Sequence, residues 1–199
     1  MGKIFYLMGK SSSGKDTLYK LLMAEEELAL QPIVQYTTRP IRQGEVEGTE
    51  YYFVTQDELS RLEAEGKVIE SRSYDTCYGI WTYATICDDN IDLTTHHYMM
   101  IGTLESFKKV QEYFGRENVI PIMIECDDGV RLQRALDREK AQDEPKYEEM
   151  CRRYLADSAD FSPGCQREAG IDKVFQNEEL EQCCTEIKAY ILQCMEQKG

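Results

Sequence analysis

Residues 9–15 constrain this chain more than any other stretch. Gly9, Lys10, Ser11, Ser12, Ser13, Gly14 and Lys15 read G-x-x-x-x-G-K. A continuous apolar run, residues 4–8, precedes them, and residues 17–30, rich in Leu, Ala and Glu, follow. A buried strand, a Gly/Ser turn and a helix is the natural reading. The glycines allow a turn that aims successive backbone N–H groups inward as an anion nest. The helix behind it adds the positive end of its dipole. Lys15 then reaches the β- and γ-phosphates of a nucleoside triphosphate. The residue after such a lysine is ordinarily Ser or Thr, whose hydroxyl binds Mg²⁺. Here it is Asp16, followed by Thr17. A carboxylate holds a hard cation directly but adds negative charge beside the phosphates, whereas Thr17 could take the hydroxyl role. Both remain open as the metal ligand. The plain alternative for the whole segment is a turn that only connects a strand to a helix.

The rest of the chain alternates in the same way. Pro32 is expected to end the first helical region. Residues 33–38 read as a short strand, 39–50 as loop, and 51–54 as another strand. Thr55 is expected to cap a helix over 57–65, closed by Gly66. Val68 and Ile69 begin a short strand. Residues 98–101 and 119–124 suit buried strands, with a helix over 104–114 between them. Residues 127–161 are highly charged and helical, broken near Pro145. A strand over 173–175 precedes an amphipathic helix over 178–195. Alternating strands and helices imply an α/β fold with a parallel sheet covered on both faces. The short strands over 33–82 interrupt that rhythm and suggest an inserted lobe.

Charge and cysteine usage narrow the function. The chain has 199 residues, with 23 basic against 37 acidic side chains and a formal net charge of −14. Such a chain repels polyanions, which disfavours a nucleic-acid partner. A small anionic ligand needs a local island of positive charge. The apolar run at the start is too short to span a membrane and no cleavage site follows it. The chain reads as cytoplasmic, with no membrane partner. Nothing points to secretion, so Cys77, Cys87, Cys126, Cys151, Cys165, Cys183, Cys184 and Cys194 are expected as reduced, mostly buried thiols. His96 and His97 are expected at a strand edge or in a loop rather than on a metal.

A second basic island lies at 36–48, Tyr-Thr-Thr-Arg-Pro-Ile-Arg-Gln-Gly-Glu-Val-Glu-Gly, leading into Tyr-Tyr-Phe-Val. Arg39 and Arg42 offer planar forks suited to phosphate oxygens. Together with the phosphate loop, this segment resembles the acceptor-phosphate motif of the guanylate kinase family of nucleoside monophosphate kinases. The resemblance covers nearly the whole chain. It implies a P-loop core with a parallel sheet flanked by helices (1–34, 83–126 and 162–199), a small monophosphate-binding lobe (35–82) and a helical lid (127–161). It also implies ATP-dependent phosphoryl transfer to a nucleoside monophosphate, GMP to GDP, with ATP and Mg²⁺ and small nucleotide substrates as its only partners. Oligomeric state is not legible.

By position, Arg39, Arg42, Tyr51 and Tyr78 resemble the ligands of the acceptor phosphate. Glu70 resembles the carboxylate that accepts hydrogen bonds from guanine N1 and N2. Arg134, Arg138 and Arg153 resemble the lid arginines, catalytic with Lys15, and Asn177 resembles the asparagine near the donor adenine. Two places that read the guanine edge with hydroxyls in the family hold Gln35 and Ile80 here. The acidic residue expected at the end of the strand near 98–102 is absent. The Gly-Lys-Asp-Thr run and the apolar strand ending in Gly102 also resemble ribose 1,5-bisphosphate kinases. Those relatives lack the Thr-Thr-Arg-Pro…Gly-Glu-Val segment. A sugar-phosphate kinase and a non-catalytic guanylate-kinase-like binding module therefore stand as alternatives.

Overall fold

The computed structural model describes residues 1–42, 44–76, 78–87 and 91–196. Its centre is strand β1 (Ile4–Gly9), whose residues are all buried. Parallel neighbours flank it: β7 (His97–Gly102) on one side and β8 (Val119–Glu125) on the other. β2 (Leu30–Pro32) and β9 (Val174–Gln176) complete a five-stranded parallel sheet of order β2-β7-β1-β8-β9. A strand buried on both faces has no polar side, which is why β1 reads as an unbroken apolar run. Phe5 and Leu7 face one core with Leu18, Leu22, Ile187 and Ile191. Those four come from helices α1 (Lys15–Met23) and α7 (Leu180–Glu196). Ile4, Tyr6 and Met8 face the other core with Phe107 and Val110 of α3 (Leu104–Phe114). Each such aliphatic side chain contributes about 2 kcal/mol of burial free energy.

A second sheet carries β3 (Tyr36–Thr37), β4 (Tyr52–Phe53), β5 (Val68–Thr76) and β6 (Gly79–Ile86) in the order β4-β3-β6-β5. β5 and β6 form an antiparallel hairpin, and β3 pairs antiparallel with β6. Helix α2 (Gln56–Ala64) begins at a complete capping box between Thr55 and Glu58 and covers a small core of Leu59, Ala84 and Ile86. β5 packs against α3, so the second sheet sits beside the C-terminal end of β7. Two charged helices, α4 (Asp128–Lys140) and α5 (Tyr147–Asp160), follow β8, and α6 (Pro163–Glu168) leads back to β9.

Three expectations need correction. The first helix stops at Met23, not near residue 30, and Pro32 ends β2 rather than a helix. Residues 26–28 make a single 3₁₀ turn, with Ala29 in the left-handed region at φ 46°. The acidic run there is held by Lys188 of α7, 2.7 Å from Glu25 and 2.9 Å from Glu27. Residues 33–38 are not one strand. The chain leaves the parallel sheet after Pro32 and joins the second sheet at Tyr36. Finally, Cys183 and Cys194 are buried, but Cys87, Cys126, Cys165 and Cys184 are only half-buried and Cys151 is exposed. Cys77 lies outside the described residues. Among the described residues, no helix is long and apolar enough to cross a membrane.

Candidate active site

The phosphate loop runs from the end of β1 to the start of α1. Gly9 and Gly14 are required there for different reasons. A side chain at Gly9 would press on the Ile124 carbonyl of β8. At Gly14 the backbone has φ 91°, and a side chain would overlap the Asn177 amide. Ser12 also adopts a left-handed φ of 62°. Alternation of this kind turns N–H groups toward one point. Asn177 is buried and its Nδ2 donates to the Ser13 carbonyl at 2.7 Å, tying the loop to the end of β9. The Ser12 and Ser13 hydroxyls are buried without a hydrogen-bond partner among the described residues. Lys15 opens α1, and its ammonium lies 3.6 Å from the Asp16 carboxylate. Asp16 and Thr17 are both exposed in the first turn.

Helices α4 and α5 close on this loop. The Ser11 amide donates to Asp157 Oδ2 at 2.6 Å, and Arg153 Nη2 donates to the Ser11 hydroxyl at 3.2 Å. Lys10 Nζ reaches Asp128 Oδ1 at 3.3 Å. Asp128 also meets Arg131 Nε at 3.3 Å, and the Arg131 guanidinium stacks 4.9 Å from the Tyr154 ring centre. Arg134 donates to the Cys126 sulfur at 3.6 Å and lies near Gly14. Arg138 is exposed in the last turn of α4 and makes no hydrogen bond to the loop among the described residues.

The second sheet holds the other predicted group. Arg39 is 3% exposed and grips Glu45 with both arms, Nη1 to Oε2 at 3.0 Å and Nη2 to Oε1 at 2.8 Å. Its guanidinium lies over the rings of Tyr51 and Phe53. Burial works against the charge on both partners. Burial is the largest single effect, but the Arg39–Glu45 hydrogen bonds, with Tyr83 beside Arg39, the Arg42 amide on Glu45 and Coulombic attraction, together outweigh it, raising Arg39 and holding Glu45 below the usual carboxylate range. Burial lifts the Tyr51 phenol above its ordinary value. Arg42 is exposed and meets Glu45 through its backbone, its amide donating to Oε2 at 2.8 Å and its carbonyl accepting from the Glu45 N–H at 3.1 Å. Tyr78 is exposed, stacked on Trp81, with the Lys146 ammonium 4.3 Å from its ring centre. Ile80 is 68% exposed.

Glu70 and Gln35 belong to a buried polar chain. The Glu70 Oε1 atom accepts O–H bonds from Thr85 and Ser106, both at 2.7 Å. Gln35 Nε2 donates to Thr85 Oγ1 at 3.2 Å, and the Tyr6 hydroxyl donates to Ser106 Oγ at 2.7 Å. Arg72 Nη1 donates to Thr103 Oγ1 at 2.8 Å, while its Nε stands 3.4 Å from Glu70 Oε2. At Gly102 there is no room for a side chain, because the Tyr6 phenol fills the space. The position where an acidic residue is expected is thus sterically closed.

Sequence reasoning therefore finds the loop, Asn177, Arg153, Arg134, Arg39, Tyr51, Gln35 and Glu70 at two adjoining places. It does not foresee Glu45, Arg72, Asp128, Arg131 or Asp157. Asp157 stands four residues after Arg153 on α5, the spacing that puts two helical side chains on one face. Arg72 alternates with Glu70 on one side of a strand. Those spacings were the available signals.

Comparison with known proteins bears on the family and the fold. The guanylate kinase family model matches residues 1–194. The curated guanylate kinase of Anaplasma phagocytophilum (strain HZ) is 29% identical over 188 residues, covering 94% of this chain and 84% of that protein. That of Paraburkholderia xenovorans (strain LB400) is 26% identical over 191 residues, covering 96% and 79%. The crystal structure of guanylate kinase from Anaplasma phagocytophilum superposes with a TM-score of 0.68 at 24% identity, over 99% of this chain and 88% of that one, a likeness of fold.

Proposed function

Because this chain belongs to the guanylate kinase family, we propose that it transfers the γ-phosphoryl group of ATP to GMP, giving GDP. One observation carries the reading. A strongly anionic protein concentrates cations and N–H donors at two adjoining places, the phosphate loop with Lys15 and the pocket of Arg39 and Tyr51. Two phosphates brought into line need that arrangement and little else. An acceptor phosphate oxygen is already anionic, so no strong base is required.

The parallel-sheet core binds the donor, the second sheet binds the acceptor, and α4 with α5 serves as the lid. Lys15 and the loop amides hold the ATP phosphates. Arg39, fixed by Glu45, meets the acceptor phosphate with Tyr51. Arg42 and Tyr78, exposed at the edge of the second sheet, complete its binding as the acceptor enters. Arg153 already touches the loop and Arg134 lies beside it, and with Arg138 they close on the transferring group, excluding water and stabilising spread charge. Asp16 and Thr17 present oxygen ligands at the start of α1, and both suit Mg²⁺. When bound, that ion neutralises charge on the phosphates.

A second reading, a sugar-phosphate kinase acting on ribose 1,5-bisphosphate, draws support from particular residues. Ile80 offers no hydrogen bond, Gly102 carries no acid, and Arg72 adds a cation beside it. A coupled assay with GMP, dGMP, AMP, UMP and ribose 1,5-bisphosphate separates the two. GMP is expected to be the best acceptor; activity confined to the sugar phosphate would replace this reading by the second. Lys15→Ala is expected to abolish transfer with little change in melting temperature. Full activity in that variant would remove the donor site. A thermal shift with ATP tests the remaining alternative, since a non-catalytic module should show none.

A further inference from the structure

Glu70 is the least accessible carboxylate near the acceptor pocket, with its side chain wholly buried. Two hydroxyl donors, Thr85 and Ser106, fill the two lone pairs of its Oε1. Among the described residues its Oε2 has no hydrogen-bond partner, and neither has Arg72 Nε. The two atoms face each other at 3.4 Å, beyond the ordinary range of a charge-assisted bond. Arg72 does not drift on that long contact. Its other arm is anchored on Thr103 Oγ1, and Thr103 caps α3 by accepting the Ser106 amide. Thr103 directly follows Gly102, where β7 ends beside β1 and the phosphate loop.

We propose that Arg72 is a positioning residue for the acceptor: from its anchor on Thr103 it faces Glu70 Oε2, the carboxylate oxygen that no hydrogen bond occupies among the described residues, fixes the orientation of that carboxylate, and so sets the preference for a base carrying a 2-amino group. The proposal rests on the reading of Glu70 as the guanine-binding carboxylate. Removing a buried carboxylate's paired cation leaves the charge unsupported. Arginine suits the task where lysine does not. It has separated donors, one toward Glu70 and one on Thr103, in a rigid plane. Ser106 restrains the same carboxylate from the other side, itself oriented by the Tyr6 hydroxyl. Gln35 joins the same network, tied through Thr85 to the same Oε1. The hydroxyl network thus converges on Oε1, and Arg72 faces the remaining oxygen, Oε2.

The test is steady-state kinetics with GMP and IMP, which differ only in the 2-amino group, on wild-type protein, Arg72→Met and Arg72→Lys, with a melting curve for each. Wild type is expected to prefer GMP. In Arg72→Met the GMP:IMP ratio of kcat/KM is expected to fall about tenfold, the worth of one hydrogen bond to a charged group. The loss should lie mainly in KM for GMP, with kcat within about threefold. Arg72→Lys is expected to recover part of the ratio. An unchanged ratio alongside a lower melting temperature would overturn the proposal, leaving Arg72 as a tie between the two sheets. Should Arg72→Met not fold, Arg72→Gln keeps a donor for Thr103 and is read in the same way. Wild-type protein that phosphorylates neither nucleotide overturns the Glu70 reading together with this one. Wild type that uses GMP while the variants keep its ratio overturns this one alone.

Discussion

A Cβ at residue 102 would collide with the Tyr6 phenol, so the two positions share one volume. Gly102→Ala is expected to destabilise the protein by about 1–3 kcal/mol, the range for overpacking a tight core. In a Tyr6→Val background the same change should cost far less, giving a coupling of more than about 1 kcal/mol. A denaturant-unfolding cycle of the four proteins measures it, and additive effects would dismiss the shared volume. At this scale the sequence is legible where backbone conformation dictates the residue. Gly9 and Gly14 announce themselves by spacing, because each prevents a specific clash. Arg39 is legible as a phosphate-binding type. Glu45 and Arg72 are not, since one acid among 37 or an arginine in a polar strand gives no sign of burial. Glu45 acquires its partner where the loop after β3 folds back on Arg39, and Arg72 where β5 packs on α3.

Strand β7 opens with His97, whose Nδ1 accepts the Lys3 backbone N–H at 3.1 Å. Burial, followed by the positive N-terminus and Lys3, lowers its pKa from the ordinary 6.5. The folded protein therefore binds fewer protons than the unfolded chain just below that value. Stability from this group is complete above about pH 6.5 and declines as pH falls from there through the folded pKa. The melting temperature should be lower at about pH 5.5 than at about pH 7.5, and His97→Gln, which can still accept from Lys3, should narrow the gap. A gap of the same size in the variant would assign the effect elsewhere. Elements with one strong cause were readable in advance. The capped α2 and α3 and the apolar β1, β7 and β8 stand close to where periodicity puts them. The hairpin of β5 and β6 was not readable at full length. Much of its outer half is exposed, so apolar alternation fades there while hydrogen-bond pairing continues to Thr76 and Gly79. The first helix is shorter than its composition suggests, because Glu25 and Glu27 are held outside it by Lys188.

Across the molecule, the parallel sheet, the second sheet and the helical pair α4–α5 meet around residues 9–17. Helix α5 reaches the loop with Arg153 and Asp157 together, while α4 engages Lys10 through Asp128. A carboxylate accepting from a phosphate-loop amide occupies the kind of contact an incoming anion makes. Asp157→Asn is expected to tighten ADP binding by about three- to tenfold, a modest figure because the contact is partly solvated. Isothermal titration would show it, and unchanged or weaker binding would assign Asp157 to holding the lid shut. The self-bound carboxylate has a consequence for ligand choice. A small monovalent anion offers the loop little that Asp157 does not already supply from within the chain. A ligand with several charged oxygens has further contacts to gain at the loop, so the Asp157 contact favours polyvalent ligands before any base is read.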